Sequence, residues 1–178
     1  PRSYPGPHIT TPRNKRDIQK QIQKLRSIPQ PEQNTPDWFD FRWTRLTASA
    51  AWKALDSDAK KNELIYKKCC PIDPAKYKSV NINSATHHGH KFEPLSIMFY
   101  EDKFNTEIEE FGCIPDQNNY EFGASPDGIN VKRNSERYGY LLEIKNPVSR
   151  KLTGIPKKEY WVQMQFQMYV TGLYTCDF

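Results

Sequence analysis

A chain of 178 residues is the length of one domain, and 37% hydrophobic with 26% charged residues is enough for a packed core under a wet surface, which excludes wholesale disorder. No apolar run approaches the roughly 18 residues that cross a bilayer, and the opening Pro-Arg-Ser-Tyr-Pro-Gly-Pro lacks a signal peptide's apolar stretch, so an intracellular chain with no membrane contact is expected. The net charge of +5 resides at one end: residues 1–36 carry seven basic side chains against two acidic ones, and the remainder balances at 19 of each.

Residues 1–36 also hold seven of the 14 prolines. A basic, stiff arm over residues 1–35 is the natural reading, drawn to a polyanion such as nucleic acid through phosphate contacts; an ordinary solvated tail fits the charge equally well. The chain starts at Pro rather than Met, so a piece of something longer is expected. Cys69, Cys70, Cys113 and Cys176 show no C-x-x-C spacing, which fits a reducing compartment. A zinc cluster of Cys69 and Cys70 with His87, His88 and His90 can be drawn, but adjacent cysteines suit structural zinc poorly.

Thr11-Pro12 reads as a helix start, and Ile18, Ile22 and Leu25 at helical spacing predict a helix over about 13–27, stopped by Pro29 and Pro31. Thr35-Pro36-Asp37 starts a second helix, with a break near residues 46–49 and a third helix behind it. Residues 59–70 read as helical, 71–82 as a loop, and about 84–103 as a long helix in which Pro94 calls for a turn or kink. Four extended runs follow at 107–114, 120–125, 128–132 and 138–145, suggesting a meander. A helix over about 158–172 precedes a last strand that begins at Leu173 and in which the chain stops. The order predicts an α/β (α+β) layer fold with a central mixed sheet flanked by helices.

Asp127 falls in Ser125-Pro126-Asp127-Gly128, where proline and glycine are expected to fix a tight turn. Glu143-Ile144-Lys145 closes a strand, so Glu143 and Lys145 project from one face while Leu142 and Ile144 turn to the core. Glu93, on the long helix, can reach the same sheet edge. Three carboxylates and a lysine would suit metal-assisted phosphodiester hydrolysis, because Asp and Glu oxygens are hard ligands for Mg²⁺ or Mn²⁺. On spacing alone, a turn aspartate and an exposed Glu-Lys pair remain the simpler account.

Asp127 followed by Glu143-Ile144-Lys145 resembles the signature of the PD-(D/E)xK nuclease superfamily. Arg42 with Leu46-Thr47-Ala48-Ser49, Lys91-Phe92-Glu93, Ser125-Pro126-Asp127-Gly128, Leu142-Glu143-Ile144-Lys145-Asn146-Pro147 and Tyr160-x-x-Gln163-x-Gln165 occur in the order seen in lambda-exonuclease-like, YqaJ-type viral recombinase nucleases. The resemblance covers about 36–178, the expected nuclease domain, built on a restriction-endonuclease-like core.

It implies Asp127 and Glu143 as metal ligands with the Ile144 carbonyl as a third, Glu93 completing the acidic site directly or through water, and Lys145 as the catalytic lysine. It further implies Gln163, with Tyr160, positioning nucleophile or phosphate, and Arg42 with Ser49 holding a 5′ phosphate. Arg150, Lys151 and Gln165 are candidates for DNA contact, and the four tryptophans read as core rather than base-stacking groups. The function implied is a Mg²⁺-dependent (or Mn²⁺-dependent) deoxyribonuclease, a 5′-to-3′ exonuclease on double-stranded ends in viral recombination or genome processing. An endonuclease or RNA-acting nuclease on the same site, and a non-catalytic DNA-binding module, stay open. The implied partners are DNA, a single-strand-annealing protein and further copies of the chain, and the implied location is host cytoplasm or nucleus.

Overall fold

Asn14 and Thr35 begin the first two helices by one device, a side-chain oxygen that accepts hydrogen bonds from free backbone N–H groups of the first turn. In the computed structural model, which describes residues 2–5, 14–33, 35–71, 84–149 and 152–178, α1 spans Lys15–Ser27, with the Asn14 side chain accepting from the N–H groups of Arg16 and Asp17. The expected start at Thr11-Pro12 lies outside the described residues. Helix α2 spans Pro36–Thr44, with Thr35 accepting from Trp38 N and Pro36 in the first turn.

The break near 46–49 is a two-residue strand, β2 (Leu46–Thr47), after a short N-terminal β1 (Ser3–Pro5). It leads into α3 (Ala48–Ala51), a 3-10 turn over Trp52–Leu55, and α4 (Asp58–Cys69) capped by Ser57. The expected loop over 71–82 lies, but for residue 71, outside the described residues. Helix α5 (Ala85–Phe104) runs through Pro94 as one element and stops at Asn105, whose φ of 51° places it in the left-handed region.

The extended half of the chain forms β3 (Ile108–Glu109), β4 (Ile114–Pro115), β5 (Phe122–Ala124), β6 (Gly128–Asn130) and β7 (Leu141–Leu142). Helix α6 (Lys158–Thr171) and β8 (Thr175–Asp177) complete it. These strands are not a meander. One sheet has the order β1-β8-β7-β6-β3 and a second β2-β5-β4, so the run 107–114 divides between them. At the crossover, a Cβ on Gly112 would lie 3.0 Å from the Pro31 carbonyl oxygen, a close backbone approach that periodicity cannot reveal. The first sheet is mixed: β7 runs parallel to β8 and antiparallel to β6. The expected α/β architecture, a mixed sheet flanked by helices, is the one observed.

Ile22 and Leu25 of α1 are buried in the same core as Ile114, Ile129, Leu141, Met164, Met168 and Leu173. Strand β1 pairs with β8, Tyr4 opposite Cys176. The boundary expected at 35/36 therefore separates charge but not packing, because the apolar stripe of α1 fills the interior while its basic residues face water. Two further expectations change. Gly128 has no positive φ; it lies in β6 because a Cβ there would meet Ile108 Cγ2 at 2.2 Å. The tryptophans are not deep core: Trp38, Trp43 and Trp52 are half-buried and Trp161 is exposed.

Candidate active site

The antiparallel register of β6 and β7 sets Gly128 opposite Leu142. Just before β6 begins, the Asp127 N–H donates to the Leu142 carbonyl at 3.1 Å, and Glu143 directly follows β7. The two carboxyl groups stand near enough for the Glu143 charge to act on Asp127. The Ile144 N–H donates to Asp127 Oδ2 at 2.5 Å, fixing that side chain against the end of β7. On the other flank the Glu143 N–H donates to the Asp177 carbonyl in β8 at 2.9 Å.

Glu143 is not the exposed member of a surface pair: it is 1% exposed. A buried carboxylate needs partners on both oxygens, and it has them. The Lys145 ammonium and Gln163 Nε2 (2.8 Å) donate to Oε1, and Gln167 Nε2 donates to Oε2 at 2.7 Å. Tyr160, Gln163 and Gln167 share one face of α6, and the Lys145 ammonium lies 5.5 Å from the Tyr160 ring centroid.

Burial first, and the nearby Glu143 charge second, hold the Asp127 carboxyl well above the usual carboxylate range; Lys145 and the Ile144 N–H oppose the rise. Burial works against the charged form of Lys145, but Glu143 and Asp127 outweigh it and its pKa is raised. Two crowded carboxylates beside one lysine are a site short of positive charge.

Glu93 adds to the electrostatic pressure on Asp127, yet its carboxylate lies 3.4 Å from His90 Nδ1. Among the described residues no three His, Cys, Asp or Glu side chains converge as a metal-holding set. The direct donors brought together are Asp127 and Glu143, next to the Ile144 backbone, with Glu93 standing outside; the same finding leaves the cysteine and histidine zinc cluster unsupported.

Beside the carboxylates opens a cavity of about 860 Å³, lined by residues 142–146 together with Phe99, Tyr100, Leu152, Ile155 and Lys157. Arg42, outside this cavity's lining, has its guanidinium 4.5 Å from the Trp38 ring centroid and 3.4 Å from Ser49 Oγ, and it acts on the Cys113 thiol together with Ser125, two residues before Asp127. Lys68 of α4 donates to the carbonyls of Arg42 and, at 2.6 Å, Arg45, while Trp43 Nε1 donates back to the Cys70 carbonyl at 2.9 Å. Among the described residues no carboxylate forms an ion pair with Arg42, Arg45 or Lys68. Gln165 does not join this surface or the carboxylates: it donates to the Pro5 carbonyl at 3.0 Å. Arg150 and Lys151 lie outside the described residues.

Sequence reasoning missed three contributors. Gln167 follows Gln163 by one helical turn, and that spacing was the available signal. Asp177 is fully buried, held by Tyr100 Oη (2.6 Å), Ser3 Oγ (2.5 Å) and Arg137, and its backbone carries Glu143. Lys68, which closes the end of α2, has no local signature.

A mixed sheet with paired carboxylates and a lysine at the ends of adjoining strands defines a restriction-endonuclease-like fold. The chain belongs to the YqaJ-like viral recombinase domain family, whose profile matches residues 37–174. It is 34% identical over 168 residues to an uncharacterized protein of Acanthamoeba polyphaga mimivirus, an alignment covering 86% of this chain and 30% of that protein. The chain thus spans about 30% of that relative's length. Among solved structures it is similar to the alkaline exonuclease LHK-Exo from Laribacter hongkongensis, with TM-score 0.63 and 30% identity over 80% of this chain and 71% of the other. It is also similar to LHK-Exo in complex with dAMP, with TM-score 0.60, 29% identity and the same coverage. No helix among the described residues is long and apolar enough to cross a membrane.

Proposed function

We propose that this domain is a metal-dependent deoxyribonuclease that shortens double-stranded DNA from its ends in the 5′-to-3′ direction. The observation that carries the reading is the close pair Asp127 and Glu143 at the adjoining ends of β6 and β7, with Lys145 and Gln163 bonded to Glu143. The exonuclease named among its structural relatives, one form of which holds dAMP, supports DNA as the substrate.

The donor set suits a hard cation. Two carboxylates and the Ile144 carbonyl would hold Mg²⁺, or Mn²⁺, which bind oxygen ligands and keep several waters, and the Asp127 pKa is raised by burial first and by the Glu143 charge second, the part that a cation relieves. When bound, Mg²⁺ supplies Lewis acidity and charge neutralisation at the scissile phosphate. The chain's own groups divide the remaining work. Lys145, kept protonated by the carboxylates, acts as a cation toward the phosphate oxygens rather than as a general base. Gln163 orients Glu143 and presents its amide at the edge of the site. Arg42, with no carboxylate to satisfy it and Ser49 beside it, would receive a terminal 5′ phosphate through its forked donors.

The test is release of acid-soluble nucleotide from linear 5′-phosphorylated duplex DNA with Mg²⁺, alongside EDTA, closed circular DNA, Lys145→Ala and Arg42→Ala. Degradation of the linear form alone, lost with EDTA and with Lys145→Ala, is the expected result. Arg42→Ala should reduce the preference for 5′-phosphorylated over 5′-hydroxyl ends by roughly tenfold or more, the range of a lost charged hydrogen bond. Cutting of the circle would overturn the end-dependent part of the reading, and full activity in Lys145→Ala would overturn the site.

A further inference from the structure

Gln167 is a polar residue on the most buried face of α6, fully enclosed among Met164, Met168 and Val170. Its Nε2 donates to Glu143 Oε2 at 2.7 Å and approaches the Ser125 carbonyl at 3.4 Å. Its own Oε1 is buried and has no hydrogen-bond partner among the described residues. The amide cannot be turned over to cure this, since Oε1 would then face a carboxylate oxygen and a carbonyl oxygen, both acceptors. An apolar side chain of the same length would fill the space without an unsatisfied oxygen. The amide is therefore a liability for the fold, and its benefit must lie in what Nε2 touches.

Those two contacts span the site. Gln163, one turn earlier, holds Oε1 of Glu143, so with Gln167 on Oε2 a single rigid helix grips both oxygens and fixes the rotation of the carboxylate. Ser125 lies two residues before Asp127, so the same amide also touches the segment that delivers the Asp127 carboxylate. We propose that Gln167 is a positioning residue that sets the Glu143 carboxylate for cation binding, an inference that rests on the metal-dependent reading above. It acts from behind the site, as hydrogen-bond partners of metal ligands generally do, and loss of such a partner typically weakens metal affinity about 10- to 100-fold.

The decisive variant is Gln167→Met, with Gln167→Leu as a second apolar replacement. Mn²⁺ binding to the protein without DNA, read by electron paramagnetic resonance, is measured together with metal-free thermal melting. Each variant removes the orphaned Oε1 but also leaves Oε2 of Glu143 without its donor, so both should fold with metal-free melting lowered by no more than a few degrees, while the Mn²⁺ Kd rises about tenfold or more. A purely structural role predicts a lower melting temperature with Mn²⁺ affinity intact, so wild-type Mn²⁺ affinity in either folded variant would overturn the inference. Glu143→Gln separates the two levels of argument. If it binds Mn²⁺ as wild type does, Glu143 is no ligand and the metal-dependent reading fails, taking this inference with it. If it loses Mn²⁺ while Gln167→Met does not, only the inference fails.

Discussion

Asp127 and Glu143 stand at the adjoining ends of β6 and β7, close enough for the Glu143 charge to act on Asp127, the first with some solvent access and the second with almost none. Neutralising the first should therefore separate stability from activity. Asp127→Asn keeps an oxygen for the Ile144 N–H and removes one of two repelling charges. We expect a metal-free melting temperature raised by roughly 2–4 °C, the equivalent of about 1 kcal/mol in a chain of this size, with nuclease activity lost. A destabilised Asp127→Asn protein would show that charge crowding is not what holds the Asp127 pKa up.

The same pair dictates how metal stabilisation varies with pH. The Asp127 pKa is raised in the folded state, so between the ordinary carboxylate value and the raised one the native protein retains a proton that the unfolded chain has already lost. Without metal, this group's contribution to stability declines as pH rises through that window. A cation binds the ionised form and displaces the proton. The melting shift produced by saturating Mg²⁺ should accordingly be larger at pH 8 than at pH 5, and a shift independent of pH would count against Asp127 as a ligand.

Lys68 offers a second titration of opposite sign. Burial, with help from Lys67 and Arg42, brings its pKa down to about 8. The native protein then sheds this proton before the unfolded chain does, and stability from this group rises as pH climbs from about 8 towards the ordinary lysine value of about 10.5. A neutral amine still has two N–H donors for the carbonyls of Arg42 and Arg45. Wild type should gain melting temperature relative to Lys68→Met over that interval. The direct check is the NMR titration of ¹³C-methylated lysines, where one resonance should titrate near pH 8.

How much of this was open to reading from the sequence follows from the range of each interaction. Helices α1, α2, α4 and α6 could be placed because caps and apolar spacing act within a few residues, as Thr35 and Pro36 show. Glu143 and Lys145 could be paired because a strand alternates its faces, and Asp127 joined them through the resemblance to the PD-(D/E)xK signature. What escaped notice depends on segments far apart in the chain. The division of residues 107–114 between two sheets turns on Gly112 against Pro31, the burial of α1 on its fit beneath the sheet, and the support of Glu143 on Asp177. Gln165 was a candidate for DNA contact beside Gln163, but two positions along a helix turn a side chain to the far side, here to Pro5.

Gly128 carries a prediction that separates turn chemistry from packing. Were it a turn glycine, an alanine would be penalised by backbone strain; with no positive φ there, the penalty comes from Ile108 Cγ2 at 2.2 Å from the added methyl. Gly128→Ala should cost about 1–3 kcal/mol, as overpacking does, and Ile108→Ala in the same chain should recover part of it. Additive losses in the double variant would disprove steric conflict as the cause.

The hydrogen bond from Ser3 to Asp177 joins residues 174 positions apart, and Asp177 in turn supports the strand that bears Glu143. The carboxylate pair is therefore held in place by one of the most non-local pairings in the chain, of the kind that forms late because loop closure precedes its reward. A partly folded chain, with α1, α2 and α6 already helical, would still lack a braced Glu143. Competence to cut would thus arrive with the final closure of the sheet, and the Glu143 amide hydrogen should exchange with solvent only when the whole domain opens.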